Sequence, residues 1–196
     1  MNEQSCNTRP VGFLDEAAIR PLLSFESLIP VMQSALIDFS AGHVSQPVRG
    51  ILSIKQYSGF MGVMPAVYGD LMGAKLVTLY PDNGSRGLPT HQAVIALFRA
   101  DTGEPLAMMD GRLITEMRTA AVSAVATKLL SVSDARSLAI LGSGVQARAH
   151  FNALSVVRSL TTSASGAAIR NMRRCWPIRS ERERPPRKTR CAEPTS

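Results

Sequence analysis

The body of this chain lacks cysteine: Cys6 lies near the N-terminus, and Cys175 and Cys191 fall in the last stretch. A disulfide framework is therefore not available to the body, and no C-x-x-C or Cys/His cluster points to zinc or another metal. No uncharged apolar run reaches the ~20 residues that span a bilayer, so no membrane association is expected. The opening Met1-Asn-Glu-Gln-Ser-Cys6 has neither the basic nor the apolar region of a signal peptide, which makes the cytoplasm the expected location. Acidic residues are scarce in one place only. Of 22 Lys+Arg and 15 Asp+Glu, nine and three fall within 161–196, leaving 13 against 12 in the body. The net charge of +7 thus belongs mostly to the tail, and it is weak evidence for a nucleic-acid partner, so none is expected.

What is present reads as α/β. A short helix is expected from an Asp cap at Asp15 across Glu16 to Leu23. Phe25, Leu28, Ile29, Met32, Ala35, Leu36 and Phe39 then recur at helical spacing up to a stop at Gly42. Short strands follow at Ile51–Ile54, Gly59–Met64, Gly73–Tyr80, His91–Arg99 and Pro105–Met109, the last two separated by the turn Asp101-Thr-Gly103. Gly111 to Leu130 reads as a long Ala-rich helix and 131–136 as a polar linker. The segment Leu138-Ala-Ile-Leu-Gly142-Ser-Gly144-Val-Gln-Ala147 joins an apolar strand, a G-x-G-x-x-A turn and a helix starting near Val145. Gly142 permits the tight turn, Gly144 lets backbone approach a pyrophosphate, and Ala147 allows close packing. That is the opening of a dinucleotide-binding βαβ unit.

Three cations stand out: Arg49 after Gln46-Pro-Val, Lys75 within an apolar strand, and Arg118 in the Ala-rich helix. Converging guanidinium and ammonium groups suit a carboxylate. Spacing alone leaves Lys75 free to alternate outward to solvent, and Arg118 free to snorkel or pair on its helix. The loop Pro81-Asp-Asn-Gly-Ser-Arg-Gly-Leu-Pro89 ends in Thr90 and His91, positioned to donate to a phosphate or ribose. His43 and His150 read as a loop residue and a helix residue.

Together these pieces resemble the ornithine cyclodeaminase/mu-crystallin family from about Phe13 to Leu160. The resemblance is carried by Gln46-Pro-Val-Arg49, Gly62-Val-Met-Pro65, Lys75-Leu-Val-Thr-Leu-Tyr80, Leu88-Pro-Thr-His-Gln92, Met109-Asp-Gly111, Arg118-Thr-Ala-Ala-Val-Ser-Ala124 and Leu141-Gly-Ser-Gly-Val-Gln-Ala147. It implies a mixed α/β substrate-binding and dimerisation domain over 1–130, followed by the start of a Rossmann domain over 131–160. Arg49, Lys75 and Arg118 would surround the carboxylate of an amino acid or cyclic imine, with Lys75 as the catalytic residue. Thr90, His91, Arg118, Gly142, Ser143, Gly144, Val145 and Gln146 would face NAD or NADP. The wording lies closer to the ketimine-reducing branch than to strict ornithine cyclodeaminases. Ornithine cyclodeamination, yielding proline and ammonia, is the runner-up. A non-catalytic binder of small carboxylates is the rival from another class. A homodimer built by the first domain is implied.

Beyond Leu160 the family pattern is lost, and 161–196 reads as a basic disordered tail. A dinucleotide domain needs well over 100 residues after its glycine turn, so the expectation is a truncated, poorly soluble and inactive chain. The genetic code offers a reason. Read one base earlier, the codons from Thr162 permit Asp-Val-Arg-Val-Trp-Gly-Arg-Asn-Pro-Glu-His-Ala, a strand and turn of the kind the family shows next. A frame-restored relative would carry arginine where NAD-specific folds carry an acid, which favours NADP.

Overall fold

The computed structural model describes residues 11–166 and 175–177, with side chains to Thr161. Its elements are β1 (Phe13–Leu14), α1 (Glu16–Ile19), α2 (Phe25–Ser40), β2 (Val44–Ser45), β3 (Gly50–Ile54), β4 (Gly59–Tyr68), β5 (Leu71–Leu79), β6 (His91–Arg99), β7 (Pro105–Asp110), α3 (Arg112–Leu130), β8 (Ser137–Leu141), α4 (Val145–Val157), β9 (Thr162–Gly166) and β10 (Cys175–Pro177). The expected Asp15 cap is in place, accepting a hydrogen bond from the Ala18 amide, and Ser24 caps α2 in the same way by accepting from the Ser27 amide; both satisfy helix amides that have no partner inside the helix.

The first domain is a seven-stranded sheet in the order β1-β7-β6-β5-β4-β2, with β3 also on β4. Its long strands β4, β5 and β6 are antiparallel, with Met64 opposite Lys75 and Lys75 opposite Ile95. β4 runs four residues beyond the expected end, through Pro65. Position 65 falls between the last β3 partner (Gly50 with Val63) and the first β2 partner (Ser45 with Val67), so the absent amide breaks no ladder bond on that side. β1, too short to show alternation, pairs parallel with β7.

The second unit is β8–α4–β9, with β9 parallel to β8 from Ser137–Thr162 to Leu141–Gly166. The sequence places a disordered tail from 161, whereas residues 162–166 extend this sheet and β10 pairs with β9 in turn. The remainder of that tail lies outside the described residues. The core joining the two units is a helical layer in which Ala120, Ala121, Ala124, Ala149 and Ala153 are buried with Ile29, Val125 and Leu154. Alanine at these positions lets α3 and α4 approach closely. Among the described residues no single helix is long and apolar enough to cross a membrane.

Candidate substrate and dinucleotide site

Strand alternation decides which way Lys75 points. Residues paired directly across the sheet share a face, so Lys75 lies with Met64 and Ile95, beside the positions of Val77 and Ala93. α3 covers that face, because Gly111 at its start sits against Ala93 and Ile95. Lys75 therefore projects to the helix side, and the outward alternative is not realised. Gly111 is required there: a Cβ would lie 2.9 Å from that of Ala93 and 3.2 Å from its backbone carbon.

The three cations converge. Burial holds the Lys75 ammonium below its ordinary value, and repulsion from Arg118 and then Arg49 adds to the effect. Arg118 is lowered by burial and by Arg49. His91, at the first position of β6 on the same face, is lowered by burial, Lys75 and Arg118, so its neutral form is favoured. Among the described residues none of Arg49, Lys75 and Arg118 has a carboxylate within 4.0 Å. One turn before Arg118, the buried Thr115 hydroxyl has no hydrogen-bond partner among the described residues. Arg49 is exposed, but Lys75 and Arg118 are half-buried without counter-charge, which is costly, and an anionic ligand is the remedy that this arrangement admits. Thr90 precedes β6, and its carbonyl accepts from the Tyr80 amide, which fixes the loop end beside His91.

The glycine turn closes β8 onto α4. Gly142 has φ +136°, a conformation that side chains disfavour. Gly144 has an ordinary φ of −79°, and among the described residues no atom beyond its chain neighbours lies within 4 Å of where its Cβ would be. Neither backbone strain nor packing inside the chain demands glycine at 144, whereas close approach of a pyrophosphate does. Gly144 caps α4 with no side-chain hydrogen bond; the amides of Ala147 and Arg148 donate to its carbonyl, and those of Val145 and Gln146 are left to an anion. Ser143, Val145 and Gln146 are exposed on this turn. These residues fit a dinucleotide.

α3 and α4 run side by side in the same direction. Ser123 meets His150 and Ser131 meets Arg158, both 27 residues apart in sequence. The same offset sets Arg118 level with Val145, so the cationic cluster and the glycine turn occupy one end of the helix pair. Sequence reasoning missed the side chains that join the pair. Ser123 Oγ lies 3.0 Å from His150 Nε2, and Arg158 donates to the carbonyls of Thr127, Lys128 and Ser131 at the end of α3. No local signal marks them, since each partner comes from a distant element.

The family model described as ornithine cyclodeaminase/mu-crystallin matches residues 12–175, fifteen positions further than the motifs alone carry the likeness. The ketimine reductase mu-crystallin of Mus musculus is 44% identical over 149 residues, covering 73% of this chain and 48% of that protein. A Delta(1)-pyrroline-2-carboxylate/Delta(1)-piperideine-2-carboxylate reductase of Azospirillum brasilense is 35% identical over 148 residues, 76% of this chain and 47% of the relative. Among solved structures, Delta(1)-pyrroline-2-carboxylate reductase of Thermococcus litoralis, in complex with NADH and L-proline, superposes with a TM-score of 0.77 at 35% identity. That match covers 80% of this chain and 49% of the other. The chain spans about half the length of the relatives it matches.

Proposed function

Since this chain belongs to the ornithine cyclodeaminase/mu-crystallin family, we propose that its cationic cluster holds the carboxylate of a small cyclic ketimine beside a nicotinamide dinucleotide, for reduction of the C=N bond. The observation that carries this reading is the convergence of Arg49, Lys75 and Arg118 without acidic partners, level with the glycine turn. The guanidinium groups orient the carboxylate through paired N–H donors, and burial strengthens each contact. Lys75, destabilised as an ammonium by burial and its neighbours, gives up a proton more readily than an exposed lysine and serves the imine nitrogen as proton donor. Thr90 and neutral His91 line the nicotinamide side. Ser143, Val145 and Gln146, with Gly142 and Gly144 giving close approach, hold the pyrophosphate. When bound, the dinucleotide supplies the hydride.

NAD(H) binding has the support of the Thermococcus litoralis neighbour. NADP(H) preference is the finer proposal and rests on the frame-restored reading, whose permitted Gly-Arg-Asn puts an arginine where NAD-specific folds place an acid. Ornithine cyclodeamination would use the same carboxylate clamp and is the second reading.

Calorimetric titration with pyrrole-2-carboxylate, a planar analogue of a cyclic ketimine acid, tests the clamp. Saturable binding lost in Arg118→Met supports it, and equal heats for both proteins sink it. Oxidation of NADPH by the 196-residue chain with piperideine-2-carboxylate would instead show that the chain turns over as it stands.

A further inference from the structure

The seam between α3 and α4 is lined by Ala120, Ala121, Ala124, Ala149 and Ala153, each at most 3% exposed. Methyl groups pack closely but give little preference for one alignment over another, so within this buried cluster alignment by shape falls to Val125 of α3 and Leu154 of α4. Arg158 anchors the two C-terminal ends through three α3-end carbonyls. With that anchor alone, α4 pivots about its far end, and the glycine turn at its near end moves most. Glu116 on α3 also feels the charge of Arg148 on α4, but a Coulombic attraction is not directional.

A directed bond lies between the anchor and the turn. His150 Nδ1 is 2.7 Å from the Gln146 carbonyl oxygen, and Nε2 is 3.0 Å from Ser123 Oγ. A carbonyl only accepts, so Nδ1 carries a proton, and in the neutral imidazole Nε2 is then the acceptor. Ser123 then donates its hydroxyl proton to Nε2. The competing acceptor, the Thr119 carbonyl, is at 3.5 Å, the long limit of a hydrogen bond. The chain of bonds thus runs one way, from Ser123 on α3 through His150 to the Gln146 carbonyl in the first turn of α4.

We propose that His150 is a positioning residue: the Ser123–His150–Gln146 bond chain removes the pivot of α4 and sets the placement of the Gly142–Gly144 turn relative to Arg118. The functional meaning of that placement rests on reading the turn as the dinucleotide site and Arg118 as a substrate ligand. The bond chain itself does not, and it is tested without any ligand.

The experiment uses the 196-residue chain with Cys6, Cys175 and Cys191 replaced by serine and spin labels at exposed Ala126 on α3 and Val145 at the turn. Pulsed dipolar spectroscopy reads the spread of distances between the labels. We expect one narrow distribution in the parent. His150→Ala and Ser123→Ala should each at least double its width. Leu154→Ala, which opens a cavity in the same helical layer without touching the bond, should lower the unfolding midpoint but keep the parent width. Nitrogen-15 spectra of labelled histidine should show His150 protonated at Nδ1. An unchanged width in His150→Ala, equal broadening in Leu154→Ala, or protonation at Nε2 would each overturn the proposal. Failure of the carboxylate or dinucleotide titrations would remove the functional reading and leave these three observations standing.

Discussion

At Lys75 a single side chain links fold, charge and ligand. Burial and two guanidinium groups favour its neutral form in the folded chain relative to an unfolded lysine at 10.5. The unfolded chain therefore binds more protons in the window below 10.5, and stability contributed by this site rises with pH there. Ligand affinity runs the other way. A bound carboxylate restores the charged form, so binding takes up a proton and weakens as pH climbs through the depressed Lys75 value. We expect the Kd for pyrrole-2-carboxylate to be flat at neutral pH and to rise with an onset below pH 10.5. Lys75→Arg should keep binding and remove that alkaline loss, because guanidinium stays charged. Lys75→Met should also flatten the profile, but at an affinity lower by about 10- to 100-fold, the scale of one charge-assisted hydrogen bond. Titrations from pH 7 to 10.5 decide this, and a flat parent profile would contradict the assigned role. In the sequence, Lys75 stands out as a charge in an apolar strand, but which way it faces depends on the register of β4, β5 and β6. That register is set by partners tens of residues away.

Elements joined by few side chains give sharper stability predictions than the sheet does. α3 ends at Leu130; the Thr127 carbonyl accepts from the Ser131 amide, and the helix offers no amide of its own to the carbonyls that follow. Arg158 donates to the carbonyls of Thr127, Lys128 and Ser131 and to Ser131 Oγ at 3.2 Å. Arg158→Ala should lower the free energy of unfolding by about 1–3 kcal/mol, read as a shift in urea midpoint at unchanged slope. Arg158→Lys should recover only part of it, since one ammonium does not reproduce the guanidinium fork. The Ala-rich seam gives a second expectation: Ala124→Leu forces extra volume between helices at a fully buried position and should cost about 1–3 kcal/mol. Elements such as α2, α3, β6 and the β8–turn–α4 unit are legible from sequence because period and punctuation agree within each of them. β9 is not, since Thr162-Ser-Ala-Ser-Gly166 carries no apolar alternation, and only its pairing with β8 makes it a strand. Ser123, His150 and Arg158 are illegible for the same reason, each acting through a contact that no local pattern encodes.

The whole molecule has two unlike sheet faces. Helices and the cationic cluster take one. The opposite face carries Leu52 with Met61, Val63 with Leu76 and Val94, and Phe13 with Met108, each set aligned by direct pairing across strands. Leu52, Val63, Leu76, Met108 and Phe13 are exposed on it, and an open hollow of about 510 Å³ lies between Phe13, Met61, Leu76 and Val94. An apolar face this continuous is uncommon on a monomer. We propose that the first domain of a second copy covers it, as the family resemblance implies. Leu76→Arg places a charge at the centre of that face; we expect sedimentation equilibrium to show a dimer for the parent and a monomer for this variant. Leu129→Arg, at a 62% exposed position on α3 away from the sheet, should leave the parent mass unchanged. Because Lys75 and Leu76 point to opposite sides, a monomeric Leu76→Arg chain should bind pyrrole-2-carboxylate within about threefold of the parent, a difference below 1 kcal/mol. If affinity falls with dimerisation instead, the cationic cluster needs the second copy to complete it, and the clamp is not the property of a single chain.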